Sequence, residues 1–421
     1  MQYRLSAPDT LQATIGLPAS KSISNRALIL HALSQGKAQL SNLSDCDDTR
    51  VMIRALNTPQ GTIDIQAAGT AMRFLTAYLS VASDNCCLLT GTERMQQRPI
   101  RILVDALRSL GARIEYAGNE GFPPLRITGT RLTGNQATLA GNVSSQYISA
   151  LLMIGPMLPQ GLTLRLTGHI ISRPYIELTL QLMRDFGARV EWTAADCITA
   201  YPGGYQDVSY TVESDWSAAS YWYEIMALFR VKNRKEGRRE DTIKIELPGL
   251  FEKSYQGDSR GATLFARLGI KTQYTPAGII LSPGDTPVSR LEADLIDIPD
   301  LAQTFVVTCC LMDIPFRFTG LQSLKIKETD RLAALINELR KLGYALTCEE
   351  NSTLAWNGEC CRAHQTPVIS TYEDHRMAMA FAPASLLVPD LCIDKPEVVS
   401  KSYPCFWKDL QKAGFHIQED A

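Results

Sequence analysis

The chain has 421 residues, 45% hydrophobic and 20% charged, with 28 Gly and 21 Pro; this ordinary globular usage excludes disordered, collagenous and low-complexity architectures. At about 150 residues per domain, that length predicts two or three domains, each able to bury its own core. With 42 basic and 44 acidic residues the formal charge is −2, which excludes a bulk electrostatic footprint for nucleic acid or an anionic membrane and leaves room for a local anion site.

In chain order, Met1 to Thr10 lacks the apolar run of a signal peptide. Ser20-Lys21-Ser22-Ile23-Ser24-Asn25-Arg26 then leads into Ala27-Leu28-Ile29-Leu30, predicting a helix that starts on cations, hydroxyls and an amide. Unsatisfied N–H groups at a helix start attract anions, so this segment reads as a phosphate or carboxylate cradle, although it lacks the glycines of a P-loop. Gly69-Thr70-Ala71-Met72-Arg73 opens a second helix with a glycine that admits close backbone approach to a ligand. Arg94 and Arg98 flank a helix predicted to start near Pro99, where an arginine either grips an anion bidentately or is solvated. Ser144-Ser145-Gln146 and Ser172-Arg173-Pro174-Tyr175 read as polar specificity contacts or as two ordinary N-caps.

The run Arg230 to Asp241 interleaves acids with bases and carries no stacking aromatic, so it reads as a solvated loop. Asp300 heads an apolar helix, either as its N-cap or as a base facing a hydroxyl. Lys325 to Arg331 mixes both signs within one turn, as a salt-bridged face or as part of an anion site. Asp374-His375-Arg376 precedes an apolar helix from Met377, and five His in the whole chain make no metal constellation. Met377 to Pro389 is the longest weakly polar stretch and is too short to span a bilayer. Lys401 alone reads as a surface residue. Several helix starts that each carry Lys, Arg or a Ser-Ser pair suit a ligand with several negative charges.

A repeat underlies these elements. An apolar-periodic helix, a Leu-Gly-Ala-like stop and a strand recur at Leu110-Gly111-Ala112 and Phe186-Gly187-Ala188, and more weakly at Leu268-Gly269, Leu342-Gly343 and Ala413-Gly414. The glycines sit where a left-handed C′ residue closes a helix, 76, 82, 74 and 71 residues apart. A sixth, degenerate copy falls near Leu56 to Ile65, around Pro59 and Gly61. Six units of that length fill the chain and predict two domains of three units. The 11 Cys include three adjacent pairs (Cys86-Cys87, Cys309-Cys310, Cys360-Cys361) and no C-x-x-C; they read as buried, reduced thiols of a cytosolic protein.

Taken together, the ordered motifs from Pro18 to Lys401 resemble those of the 5-enolpyruvylshikimate-3-phosphate synthases, over nearly the whole chain. That resemblance implies an α/β fold of six βαβαββ-type units in two globular domains, joined by a double crossover, with the active site in an interdomain cleft. One domain would be 21–213, mainly binding shikimate 3-phosphate. The other would be 1–20 plus 214–421, contributing phosphoenolpyruvate-binding and acid/base residues. The implied reaction moves the carboxyvinyl group of phosphoenolpyruvate onto the 5-hydroxyl of shikimate 3-phosphate and releases phosphate, by addition and elimination through a tetrahedral intermediate. It is the sixth step of the shikimate route to chorismate and aromatic amino acids.

By the same resemblance, Lys21 touches both ligands and Ser22 and Arg26 the shikimate moiety. Ser144, Ser145, Ser172 and Tyr175 match contacts around the shikimate phosphate, and Gln146 contacts both ligands. Gly69, Thr70, Arg98, Arg331, Arg376 and Lys401 match the phosphoenolpyruvate side. Asp300 and Lys327 hold shikimate hydroxyls, with Asp300 as base; Glu328 shuttles protons with Lys21 or Lys401, and His375 positions. Departures from common family sequence are Gln66-Ala67 for Gly-Asn, Phe74 for Pro, and Ser323 where Asn often helps bind shikimate. The resemblance implies no metal or organic cofactor, no nucleic-acid or membrane partner, a cytoplasmic monomer, and inhibition by the phosphoenolpyruvate mimic glyphosate, with Gly69 at the position that governs sensitivity. The alternatives are a UDP-N-acetylglucosamine carboxyvinyltransferase and a non-catalytic metabolite-binding repeat protein. The first is disfavoured because it lacks the Ser-Lys-Ser-x-Ser-Asn-Arg start and its many members with a reactive loop Cys find none here between Glu93 and Arg98.

Overall fold

A computed structural model describes residues 1–82, 86–240 and 243–420, with Ile326 described by its backbone alone. The chain divides into two compact units, Ala19–Glu213 and Met1–Pro18 with Ser214–Ala421, and passes between them twice. Each unit has its own apolar core.

Within Ala19–Glu213 the recurring element is strand, helix, strand, helix, strand, strand. One copy runs Gly61–Asp64, Gly69–Val81, Cys86–Thr90, Arg101–Ser109, Arg113–Tyr116 and Leu125–Thr128. Its first two strands pair in parallel, the fourth joins the second antiparallel, and the third lies outside the fourth. The copy from Gln136–Ala140 to Cys197–Ala200 has the same order and directions. The third is reduced: Tyr210–Thr211 pairs in parallel with Leu40–Ser41, with helices Lys21–Ser34 and Asp47–Asn57. Among the described residues the antiparallel hairpin of this copy is missing, which departs from six equal units.

The other unit repeats the pattern with two seams. Leu291–Asp294 to Thr353–Trp356 is a contiguous copy. In the next, Val368–Ile369, Leu391–Asp394 and His416–Asp420 are completed by the N-terminal strand Gln2–Ser6, which lies between the last two. In the third, Gln12–Thr14 pairs with Lys244–Pro248, and the whole Ala19–Glu213 unit is inserted between that first strand and its helix Trp216–Lys235. Among the described residues the sum is five four-stranded sheets and one two-stranded sheet, each with one parallel pair.

Burial separates the two helices of each copy. The first helix is an interior one: every residue of Ala302–Leu311 and of His375–Phe381 is buried, and Trp216–Lys235, Ala302–Leu311 and His375–Phe381 pack on one another. Lys21–Ser34, Gly69–Val81 and Ser145–Ile154 do the same in the other unit. The second helix is amphipathic and ends on the repeat glycine: Gly111, Gly187, Gly269, Gly343 and Gly414 all have φ between 81 and 104°. The degenerate sixth copy is different in kind. Helix Asp47–Asn57 ends its own repeat, whereas the strand after Gly61 begins the next one.

Three expectations need correction. Arg230 to Lys235 are the last turns of helix Trp216–Lys235 rather than a solvated loop, and Arg230 is buried. Its guanidinium donates to the carbonyls of Gly269, Gly284 and Asp285 and pairs with Glu240; Asp241 lies outside the described residues. Arg94 lies inside a short helix, Glu93–Gln96, and the following helix starts at Arg101. Cys309 and Cys310 are buried as expected, but Cys86, Cys360 and Cys361 are exposed. Cys86 and Cys87 are neighbours on one strand, so their side chains leave on opposite faces and only Cys87 enters the core. Among the described residues, no helix is long and apolar enough to cross a membrane.

Candidate active-site residues

The repeat places functional side chains at the N-terminal ends of its helices, following the carboxyl ends of its parallel strands, where backbone N–H groups are unsatisfied. In Ala19–Glu213, the start of Lys21–Ser34 carries Lys21, whose Nζ lies 3.8 Å from Asp48 Oδ2 at the start of the next helix. Arg26, one turn further in, is 2% exposed. It donates to Ser22 O (2.9 Å), Thr179 Oγ1 (2.8 Å) and Ser149 Oγ (3.1 Å), and stands over the Phe74 ring at 5.2 Å. Burial lowers its pKa to about 10, so it remains a cation at neutral pH. Phe74 is therefore an apolar floor beneath this guanidinium.

Gly69 opens its helix against Arg98: a Cβ there would stand 2.6 Å from Arg98 Nη1, so the missing side chain is what admits the guanidinium. Arg73 Nη1 donates back to Gly69 O at 3.0 Å. Thr70 accepts from Gln146 Nε2 at 3.1 Å, and Ser144 caps Gln146 N, so Gln146 and its cap join the Gly69–Arg98 cluster, with Ser145 between them in sequence. Tyr147 OH donates to Pro99 O at 2.7 Å and fixes the Arg98 segment to the same helix. Ser172 is left-handed (φ 53°) and makes no side-chain cap, with Tyr175 one turn on. Gln66 is also left-handed (φ 53°), its N–H held by Asp64 Oδ1 at 2.8 Å.

In the other unit the expected residues form one ionic network. Asp300 lies in a single turn, Pro299–Leu301, and does not cap the helix behind it. Its Oδ1 accepts from Lys327 Nζ (3.3 Å) and Arg331 Nη1 (3.2 Å), and its Oδ2 from Arg376 Nη2 (3.0 Å). Arg331, 1% exposed, also holds Asp374 through Nε (2.7 Å) and Nη2 (3.2 Å), and Glu328 Oε2 at 2.9 Å. Glu328 Oε1 lies 2.9 Å from Lys401 Nζ. Asp374 caps Arg376 N at 2.9 Å, and His375 Nδ1 lies 3.7 Å from Asp374 Oδ1. Burial alone would raise the Asp300 pKa, but Arg376, Lys327 and Arg331 outweigh it and hold the carboxyl well below the usual range. Arg331 is raised in turn: its desolvation is overcome by Asp374, Glu328 and Asp300. The Ser323 hydroxyl is buried with no hydrogen-bond partner among the described residues.

Sequence reasoning missed residues with equal claims. Asp48 faces Lys21, Tyr221 OH accepts from Arg376 Nη1 at 3.4 Å, and Asp258 carries a pKa raised to about 7 by burial and by Asp300. Asp48 and Asp258 sit, in their repeats, at the helix start that elsewhere holds Tyr175 or Arg331, so aligning the repeats would have found them. Among the described residues, no group of three or more His, Cys, Asp or Glu is placed to hold a metal ion.

Known proteins resemble this chain over nearly its whole length. A profile of the EPSP synthase family (3-phosphoshikimate 1-carboxyvinyltransferase) matches residues 5–60 and 55–410. The chain is 65% identical over 418 residues to a 3-phosphoshikimate 1-carboxyvinyltransferase of Bacteroides fragilis (strain YCH46), covering 99% of each. It is 36% identical over 430 residues to one of Idiomarina loihiensis, covering 95% of this chain and 96% of that one. Among solved structures, the EPSP synthase of Acinetobacter baumannii matches with a TM-score of 0.78 at 20% identity, covering 99% of this chain and 100% of that one.

Proposed function

Since this chain belongs to the EPSP synthase family, the 3-phosphoshikimate 1-carboxyvinyltransferases, we propose how its own residues carry the reaction of that family. The activity is transfer of the enolpyruvyl group of phosphoenolpyruvate to shikimate 3-phosphate in the shikimate pathway. The observation that carries the reading of the site is the ionic network in which Asp300 lies among Lys327, Arg331 and Arg376, and Glu328 between Arg331 and Lys401. In that network each acid is already poised between cations that an anionic substrate can claim.

Lys21, Ser22, Arg26, Ser144, Ser145, Gln146, Ser172, Tyr175, Asp300, Ser323 and Lys327 bind shikimate 3-phosphate. Lys21, Gly69, Thr70, Arg98, Gln146, Arg331, Arg376 and Lys401 hold phosphoenolpyruvate. The unpartnered Ser323 hydroxyl supports its place here, as a shorter stand-in for the amide found in relatives. In the addition step the 5-hydroxyl oxygen bonds to C2 of phosphoenolpyruvate while a proton reaches C3. In the elimination step the C2–O bond to phosphate breaks, a proton leaves C3, and the double bond reforms.

Asp300 takes the hydroxyl proton. Flanked by Lys327, Arg331 and Arg376 it is a weak base, and it strengthens when substrate anions draw those cations away. Glu328, bonded to Lys401 and Arg331, exchanges the C3 proton with Lys401 or Lys21 as partner, and His375, its Nδ1 3.7 Å from Asp374 Oδ1, has a positioning role. The same cations stabilise the charge that develops on the departing phosphate. This reading makes the protein a cytoplasmic monomer whose phosphoenolpyruvate site glyphosate occupies, with Gly69 leaving Arg98 in place for it.

The test is release of phosphate from phosphoenolpyruvate, with and without shikimate 3-phosphate. Release that requires both substrates, and that Asp300→Ala lowers by at least about a hundred-fold, is the expected result. An Asp300→Ala enzyme as fast as the parent would overturn the assignment of the base.

A further inference from the structure

Helix Arg331–Lys341 carries a carboxylate that the mechanism does not use. Glu338 is fully buried and lies seven residues, two turns, beyond Arg331, so both project from the same side of the helix. Arg331 takes hold of Asp374. Glu338 takes hold of the turn that delivers Asp374: its Oε2 accepts from Ser370 N (3.0 Å) and its Oε1 from Tyr372 OH (2.7 Å). Lys341 Nζ, 2.6 Å from Glu338 Oε2, extends the grip to Val368 O at 2.9 Å.

That turn needs holding. Tyr372 (φ 54°) and Glu373 (φ 56°) are consecutive left-handed residues, neither of them glycine, a conformation that L-residues avoid. The residues that follow are Asp374, His375 and Arg376. Asp374 receives Arg331 and caps Arg376 N, and Arg376 reaches Asp300. Relaxation of the turn would therefore displace both arginines together.

We propose that Glu338 is a positioning residue for phosphoenolpyruvate, locking the 370–374 turn so that Arg331 and Arg376 are set in their anion-binding geometry before substrate arrives. This rests on the assignment of those two arginines to phosphoenolpyruvate made above. Glu338 touches no reacting atom, and it acts through Tyr372, Ser370 and Asp374.

The experiment is steady-state kinetics on the full chain, each substrate varied in turn, for Tyr372→Phe, Glu338→Gln and Glu338→Ala, with melting temperatures alongside. Arg376→Lys is measured in parallel to test the arginine assignment itself. Tyr372→Phe removes one hydrogen bond from a ring 36% exposed and keeps the Glu338–Lys341 pair, so the question stays answerable if Glu338→Ala fails to fold. The expected result is a rise in KM for phosphoenolpyruvate of about three-fold for Tyr372→Phe and about ten-fold or more for Glu338→Ala, with KM for shikimate 3-phosphate within about two-fold of the parent. Glu338→Gln, whose amide oxygen still accepts one of the two bonds, falls between them. If Arg376→Lys raises KM for phosphoenolpyruvate and Tyr372→Phe and Glu338→Gln both leave it unchanged, the positioning role is overturned. It is equally overturned if both KM values rise together in step with a lowered melting temperature. An Arg376→Lys enzyme with unchanged KM for phosphoenolpyruvate would instead overturn the assignment on which the inference rests.

Discussion

Asp258 stands in the single turn Gly257–Arg260, 4% exposed, with Ser217 Oγ donating to its Oδ2. Burial, with the charge of Asp300 second, raises its pKa from 3.8 to about 7. Between those two values the folded chain holds a proton that the unfolded chain has lost. Stability therefore falls as pH rises through that window and levels off above it. Asp258→Asn keeps an acceptor for Ser217 and carries no charge, so it should stabilise the protein at pH 8 by on the order of 2–4 kcal/mol relative to its effect at pH 4. Urea midpoints of both proteins at the two pH values check this, and an equal difference at both would reject it. Nothing in Gln256-Gly257-Asp258 announces such a carboxyl, because its shift comes from burial and from a residue 42 positions away. Lys21, Arg331 and Arg376 were legible because each adjoins a helix start written in polar residues, and Gly69 because a glycine opens its helix. The carboxylates that face Lys21 and Arg331, Asp48 and Asp374, have neighbours that only folding supplies.

At the scale of elements, the repeat was legible through its stops. Five glycines after five amphipathic helices give a period that local pattern alone can carry, since a left-handed C′ residue is a backbone requirement. The interior helices were legible less as helices than as apolar runs with polar beginnings, because Ala302–Leu311 is buried on every side and has no solvent face to mark its period. Charge misled at the end of Trp216–Lys235. Arg230 opens the densest charge run in the chain, yet it turns inward to bond Gly284 O (2.8 Å) and Asp285 O (3.0 Å), carbonyls that follow strand Gly278–Pro283 of the same repeat. No local pattern distinguishes it from Arg234, which is half exposed. The two should separate on mutation: Arg230→Met is expected to cost about 3 kcal/mol, since it strands buried carbonyls, and Arg234→Ala less than about 1 kcal/mol. Comparable shifts in urea midpoint for the two variants would show that the buried guanidinium is not the strut it is built as.

For the whole molecule, the decisive fact is that strands Gln2–Ser6 and His416–Asp420, far apart in sequence, pair within one repeat. Strand Gln2–Ser6 lies between Leu391–Asp394 and His416–Asp420, with Gln2 opposite Asp394 on one side and Asp420 on the other. The N-terminal strand therefore completes a repeat whose other strands close the chain, so the first and last strands are already an antiparallel pair lacking only a turn. Joining residue 420 to residue 2 through a short glycine-containing linker should thus restore an ordinary contiguous repeat at small entropic cost. New ends can be opened between Arg362 and Gln365, an exposed segment between strand Thr353–Trp356, which finishes one repeat, and Val368–Ile369, which starts the next. Every hydrogen-bonded strand pair survives this permutation, and so does each segment that carries Asp300, Arg331, Arg376 or Lys401. The permuted chain is expected to keep kcat/KM within about five-fold of the parent, whereas removal of residues 1–7 takes out an inner strand and should leave unit Met1–Pro18 with Ser214–Ala421 unable to fold stably. Far-ultraviolet circular dichroism and the phosphate-release assay on the two proteins decide the matter. A truncated chain as stable and active as the permuted one would mean that the N-terminal strand is an ornament on this sheet rather than part of its repeat.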